Sequence, residues 1–169
     1  ASANNPSFFD DLLLVFFRDE GIWDYRHYNI TTDPSLYYLK SPPEDAYGKG
    51  VSILKEGQYV NAYEIRLHRN KYLALCQRND VNVTVYRDNN HDDKMDLIPG
   101  KEDTGVFGIN IHRGPMNGNA DTQNSNYSAG CQVFSNPKDF EEFMKICEFS
   151  KNNFGNRFTY TLLNEKDLQ

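Results

Sequence analysis

Cysteine is scarce in this chain: Cys76, Cys131 and Cys147 are the only three among 169 residues. No two stand at C-x-x-C spacing, and an odd number leaves one unpaired within a single chain. That excludes both a disulfide framework and a cysteine metal cluster. Surplus positive charge is missing too. Lysine and arginine together number 18 against 24 aspartates and glutamates, a net charge of -6. Such a balance lacks the basic footprint that a phosphate backbone requires and argues against nucleic acid as a partner. Long apolar runs are absent. The longest, Leu12 to Phe17, has six residues and runs into Arg18, Asp19 and Glu20, so no membrane span is expected. The first residues, Ala1 to Pro6, hold neither a basic nor an apolar stretch, so no signal peptide is visible and this end does not reveal the compartment. Neither an internal repeat nor a low-complexity segment occurs.

What is present suits one globular domain over residues 1–169, with an apolar fraction of 38% and an aromatic fraction of 14%. Ser7 is placed to cap a first helix over roughly residues 8–19, with Asp10 and Asp11 in its first turn and Gly21 as its stop. Residues 31–50 carry Asp33-Pro34, Pro42-Pro43, Gly48 and Gly50 and read as an irregular connection. Residues 1–50 thus form a helix and an extension, and residues 51–169 the core. Within that core, alternation predicts strands from Tyr59 to His68, Lys71 to Gln77 and Val81 to Tyr86, arranged as a meander. Phe107, Ile109 and Ile111 alternate with Gly108, Asn110 and His112, which sends His112 to the face opposite the apolar set. A short strand, Gln132 to Phe134, leads into Asn136-Pro137, a helix-start signal. Phe140, Phe143, Met144 and Cys147 then form one helical stripe ending near Gly155, before a last strand from Phe158 to Leu163. The fold class expected is α+β, mainly β, with one helix at the N-terminus and one after the Cys131 strand.

Chemistry concentrates in Gly108-Ile109-Asn110-Ile111-His112-Arg113-Gly114 and in Tyr127-Ser128-Ala129-Gly130-Cys131-Gln132. A thiol is mostly protonated at neutral pH, and a positioned imidazole converts it to the thiolate that attacks a carbonyl. Cys131 and His112 are therefore the candidate nucleophile and base. The small residues Ser128, Ala129 and Gly130 allow a sharp backbone turn that aims the Gly130 and Cys131 amides at the oxyanion of a tetrahedral intermediate.

His112, an intervening fifteen residues and then Ser128-x-Gly130-Cys131 resembles the active-site signature of the YkuD-type L,D-transpeptidases, in which His is followed at similar distance by Ser/Thr-His-Gly-Cys. Rival cysteine enzymes differ in order, because papain-like and NlpC/P60-type hydrolases place Cys before His. The resemblance is specific over residues 105–134 and loose over residues 50–163, and it extends to members from Bacteroidetes and their phages. It implies a YkuD-like mixed β-sandwich or barrel, no cofactor, and peptidoglycan stem peptides as partners. Cys131 would attack the carbonyl of the third stem residue and expel the terminal D-amino acid, leaving a thioester that passes to an amine or to water. The setting implied is periplasmic, secreted or phage-associated. Two positions depart from the family: Ala129 replaces its second His, and Gln132 replaces the residue that follows its Cys. Arg113, Gln132 and Tyr127 are the expected substrate-binding residues, with Arg113 taking a substrate carboxylate. The loop from Gly114 to Tyr127 would overhang the site as a lid. Competing readings are a non-catalytic wall-binding or phage structural module, and a cysteine peptidase with another substrate.

The remaining polar motifs read as ordinary surface. Asp88-x-Asn90-x-Asp92, with Asp96 further on, starts like a calcium loop, but Asp93 stands where glycine belongs and Pro99 where glutamate belongs. An acidic turn is expected there, and no metal site. His27 and His91 are read as surface histidines, and so is His68, although with Arg66 and Arg69 near it His68 has the alternative of facing the same groove as His112; Cys76 and Cys147 are read as structural thiols.

Overall fold

The computed structural model describes residues 5, 6, 8–43, 48–114, 116 and 126–168. Ser7 and most of the loop expected to act as a lid, residues 115 and 117–125, lie outside the described residues.

The segment read as a first helix is a β-hairpin. Strands β1 (Asp11–Asp19) and β2 (Ile22–Thr31) pair antiparallel, from Asp11 opposite Ile30 to Asp19 opposite Ile22. Glu20 and Gly21 both take positive φ, 45° and 85°, as a two-residue hairpin turn requires, so Gly21 marks a turn and not a helix end. The cause lies in the run Leu12 to Phe17, which is apolar on both faces. Leu13 is buried while Leu12, Leu14 and Phe16 face outward, a period of two, and an aromatic and β-branched run of this kind suits a pleated surface.

Helix α1 (Leu36–Lys40) is a single short turn in the expected irregular stretch. Strands β3 (Val51–Leu54), β4 (Gly57–His68), β5 (Tyr72–Gln77), β6 (Val83–Asp88), β7 (Glu102–Gly105), β8 (Ile111–Arg113) and β9 (Gln132–Phe134) follow. Helix α2 (Pro137–Phe154), strand β10 (Phe158–Leu162) and a 3₁₀ turn (Glu165–Leu168) complete the chain. The strands form a seven-stranded sheet in the order β1-β2-β9-β8-β5-β4-β10 and a three-stranded sheet, β3-β6-β7. The expected three-strand meander stops after β4 and β5, because β6 leaves to pair with β3 and β7. The boundary at residue 50 also falls, since β2 pairs directly with β9 and the hairpin forms two strands of the main sheet.

The fold is mainly β, of the α+β class. The Asn136 side chain caps α2 by accepting the Lys138 amide at 2.9 Å, and Pro137 occupies the first turn, where its missing N–H costs nothing. The stripe Phe140, Phe143, Met144 and Cys147 is buried as its spacing predicts, against Tyr28 and Phe134 of β2 and β9. This packing fixes β9, and through it the residue that precedes it, Cys131. Among the described residues, all sheet pairings but one are antiparallel. The exception is β8 with β9, whose parallel register sets Ile111 beside Gln132 and His112 beside Val133.

Candidate active site

Carried back one residue, the parallel register sets Asn110 beside Cys131. The backbone confirms the step, because the Gln132 amide donates to the Asn110 carbonyl at 2.8 Å. Asn110, His112 and Cys131 therefore share one side of the pair, since side chains alternate along a strand. The Cys131 sulfur accepts the Asn110 amide at 3.4 Å and lies 3.5 Å from the Gly108 carbonyl, to which the thiol donates.

Three small residues hold the cysteine from behind. The Ser128 hydroxyl donates to the Cys131 carbonyl at 2.7 Å and accepts the Gly130 amide at 3.1 Å. Ser128 is buried, and its own carbonyl accepts the Ser35 amide at 2.8 Å. It is thus a positioning residue that closes the turn before the nucleophile. Gly130 sits at φ +123°, and a Cβ there would lie 1.8 Å from the Ser52 carbonyl oxygen, so no side chain fits. Its amide is engaged by Ser128, which corrects its expected oxyanion role and leaves the Cys131 amide as the candidate donor.

The segment that leads to His112 is held by a residue sequence reasoning overlooked. Gln77 is fully buried, and its side-chain oxygen accepts the amides of Phe107, Gly108 and Ile109 at 3.1, 2.9 and 3.3 Å. Its amide nitrogen donates to the carbonyls of Val81 and Gly105. One glutamine thereby shapes the bend that presents the Gly108 carbonyl to Cys131.

His112 leaves the apolar face of its strand as expected, but it meets a second histidine and not solvent. The rings of His68 and His112 stack with centroids 4.5 Å apart and planes 22° from parallel, and both residues are only 6% exposed. His68 is therefore no surface histidine. His27 and His91 are exposed.

The hydrogen bonds assign the tautomers. Asn110 Oδ1 accepts the Gln77 amide at 2.9 Å, so the other end of that side chain, Nδ2, donates to His68 Nδ1 at 3.2 Å. His68 then carries its proton on Nε2. His112 Nδ1 faces the Arg113 carbonyl at 2.8 Å and must be the protonated nitrogen, which leaves Nε2 as its lone pair. Of the two rings, His112 is the one free to accept a proton.

Burial sets the protonation states. It lowers both histidines to about 4, with Arg69 depressing each further and the His68 ring adding to the effect on His112. Burial also raises the Cys131 thiol, against the lowering effects of the Asn110 amide and Arg69. The thiol keeps partial exposure on a groove wall, yet the resting pair is neutral thiol and neutral imidazole.

A stability prediction follows from the histidines. An unfolded histidine titrates near 6.5 and the folded pair near 4, so between those values the unfolded chain binds more protons and stability rises with pH. The stabilisation is complete above about pH 6.5 and lost toward pH 4, by about 3 kcal/mol for a shift of that size at one histidine. Urea unfolding at pH 7 and pH 4.5 should show a marked loss in wild type and a smaller one in His68→Gln. An equal loss in both proteins would contradict the buried neutral pair.

A groove of about 880 Å³ opens beside Cys131, lined in part by His68, Arg69, Asn110, Tyr127 and Ala129. Tyr127 thus stands where a substrate-binding residue is expected. Gln132 does not: it is fully buried, accepting the Tyr160 hydroxyl at 3.0 Å and donating to the Gly130 carbonyl at 3.3 Å. As the residue after Cys131 on a strand it faces the opposite side, into the core. Arg113 also lies off the groove wall, its guanidinium 4.2 Å over the Tyr72 ring and bonded to the Gly114 carbonyl. Cys76 and Cys147 are buried, as expected of structural thiols.

Among the described residues no cluster of three or more His, Cys, Asp or Glu side chains is arranged to hold a metal ion. In the acidic turn, Asn90 Nδ2 bonds Asp92 and Asp96, and Asp88 accepts the amides of Asn90 and Asp96. Its carboxylates fasten their own loop. No described helix is long and apolar enough to cross a membrane. Comparison with protein-family models, with curated proteins and with solved structures finds no match to the chain.

Proposed function

We propose that the protein is a cysteine acyltransferase of the L,D-transpeptidase kind, acting on peptidoglycan stem peptides through a thioester on Cys131. The observation that carries this reading is the parallel pairing of β8 with β9, which sets the motif cysteine beside Asn110 and two residues along the same face from His112, the imidazole with a free lone pair. The Cys131 sulfur would attack the carbonyl of the third stem residue while its proton passes to His112 Nε2. Collapse of the intermediate would break the peptide bond, and that proton would leave with the amine of the terminal D-amino acid. An incoming amine gives a crosslink or an exchange, and water gives carboxypeptidase activity. A YkuD-like sandwich and a periplasmic, secreted or phage-associated setting belong to the same reading.

Proton transfer before attack is unfavourable, given a raised thiol and a depressed imidazole. Transfer and carbon–sulfur bond formation are therefore concerted in this mechanism. The same feature favours a second reading, a wall-binding or phage structural module that has kept its cysteine, because neither imidazole is hydrogen-bonded to the sulfur among the described residues.

A carbapenem separates the two. Attack on its lactam carbonyl breaks the ring C–N bond, the thiol proton passes to that nitrogen, and the whole molecule stays attached. Intact-mass spectrometry should show one carbapenem mass added to wild type, mapped to Cys131, and none added to Cys131→Ala. Wild type that stays unmodified under long incubation contradicts the acyltransferase and leaves the module.

A further inference from the structure

We propose that Arg69, at the tip of the β4–β5 hairpin, receives the terminal carboxylate of the acyl donor and so selects peptides with a free C-terminus. The inference rests on the proposed acyl transfer for the identity of the donor, and on the groove itself for the charge of its ligand.

The groove wall is one-sided in charge. Arg66, Arg69 and Arg87 line it together with His68, while no aspartate or glutamate does among the described residues. This is conspicuous in a chain whose net charge is -6. A concave wall of one sign focuses its field into the groove and attracts a ligand of the opposite sign.

Two of the three arginines are already engaged. Arg87 forks onto Asp103 at 3.1 and 3.2 Å, donates to the Ser52 hydroxyl and lies over the Phe107 ring. Arg66 donates to the Gln77 carbonyl at 2.9 Å and approaches Glu64 at 3.7 Å. Arg69 is exposed and makes no ion pair or hydrogen bond among the described residues. Its fork is open to a carboxylate, which a guanidinium binds through two parallel N–H···O contacts.

Its position suits that task. Arg69 and Cys131 line the same groove, and the charge of Arg69 acts on Cys131, His68 and His112. In a tetrapeptide donor the scissile carbonyl is followed by a single residue, so the terminal carboxylate lies roughly 3.5 Å of chain beyond the attacked bond. A carboxylate that close to the attacked bond falls within the groove that Arg69 lines together with Cys131.

The backbone at Arg69 points the same way. His68 to Lys71 form a turn closed by the Lys71 amide on the His68 carbonyl at 3.0 Å, and its central residues, Arg69 and Asn70, take φ of 49° and 55°. Asparagine and glycine tolerate this left-handed conformation, whereas for arginine it is strained. A residue held at such cost beside a groove is a candidate for function.

The test uses Cys131→Ala protein, which cannot turn substrate over, in titration calorimetry against disaccharide tetrapeptide and against the same molecule with a C-terminal carboxamide. The protein with Arg69 should bind the free acid roughly tenfold more tightly than the amide, and salt should narrow the gap. Adding Arg69→Gln should remove the preference, and Arg69→Lys should restore part of it. An equal preference in the Arg69→Gln protein, no preference in the starting protein, or binding of neither peptide each overturns the proposal. Turnover by wild type is scored separately. Activity with an unchanged Arg69→Gln preference sinks the carboxylate role alone, while an Arg69-dependent preference without activity sinks the acyl transfer alone.

Discussion

Removing the thiol with Cys131→Ala is expected to abolish turnover and leave the fold in place. Among the described residues two thiols line the groove, Cys131 and Cys76, and of these Cys76 is buried and tied to the Arg66 carbonyl at 3.7 Å, whereas Cys131 keeps partial exposure. Structurally little is lost. The sulfur contributes two long contacts, to the Asn110 amide and the Gly108 carbonyl, and the segment around it is fixed by Gln77 and Ser128. Circular dichroism and the urea midpoint at pH 7 should therefore stay close to wild type. A variant that retained turnover would show that the nucleophile lies elsewhere.

The second large effect concerns the base. His112→Gln should lower kcat/KM by roughly a hundredfold or more, because general-base assistance contributes on that scale. Glutamine is the informative replacement. It preserves most of the volume under the His68 ring, whereas alanine would leave a hole beside a buried, stacked partner. The pH profile gives an independent reading. In wild type the acidic limb should fall near pH 4, where His112 gains its proton, and not near the usual histidine value. The two stacked rings titrate as a coupled pair, so the limb belongs to both. In His112→Gln the residual rate should rise only as the thiol ionises at alkaline pH. Wild-type activity in His112→Gln, or a limb unchanged by it, would assign the base to another group.

His68 separates positioning from catalysis. Its Nδ1 is occupied by Asn110, and Asn110 cannot turn over without losing the Gln77 amide. The chain Gln77, Asn110, His68 and His112 orients the base, and its members act through one another.

Much of the framework was legible before the structure. Asn136-Pro137 and the stripe from Phe140 to Cys147 define α2 because cap chemistry and a period near 3.6 agree. Strand β4 shows itself by alternation, and β5 by a short apolar run after a turn. The first hairpin did not, because an apolar run of six residues has no empty face from which to read a period, and Gly21 serves a helix end and a hairpin turn equally well. The departure of β6 to a second sheet depends on pairing with β3 and β7, far away in the chain, and leaves no local mark.

The site divides in the same way. Cys131, His112, Ser128 and Gly130 stand out because their chemistry and spacing form a pattern. Ser128 and Gly130 prove to shape the turn, and only the Cys131 amide remains for an oxyanion. Asn110 carried a usable signal, since it stands two residues before His112 on the same strand face. Gln77 carried none, because a buried glutamine has no periodic signature. Gln132 was misplaced by proximity in sequence: side chains alternate faces along a strand, so the neighbour of Cys131 points away from the groove and into the core. Arg113 stacks on Tyr72, and the open arginine is Arg69, two strands away across the sheet.

The most direct test of the central claim is product mass spectrometry after incubating wild type and Cys131→Ala with purified disaccharide tetrapeptide, with and without a free D-amino acid. Loss of the terminal D-alanine, its exchange or a crosslinked dimer, in wild type alone, is the predicted result and identifies the acyl acceptor. Unaltered tetrapeptide in every wild-type sample, or the same products with Cys131→Ala, would contradict a Cys131 thioester on this substrate.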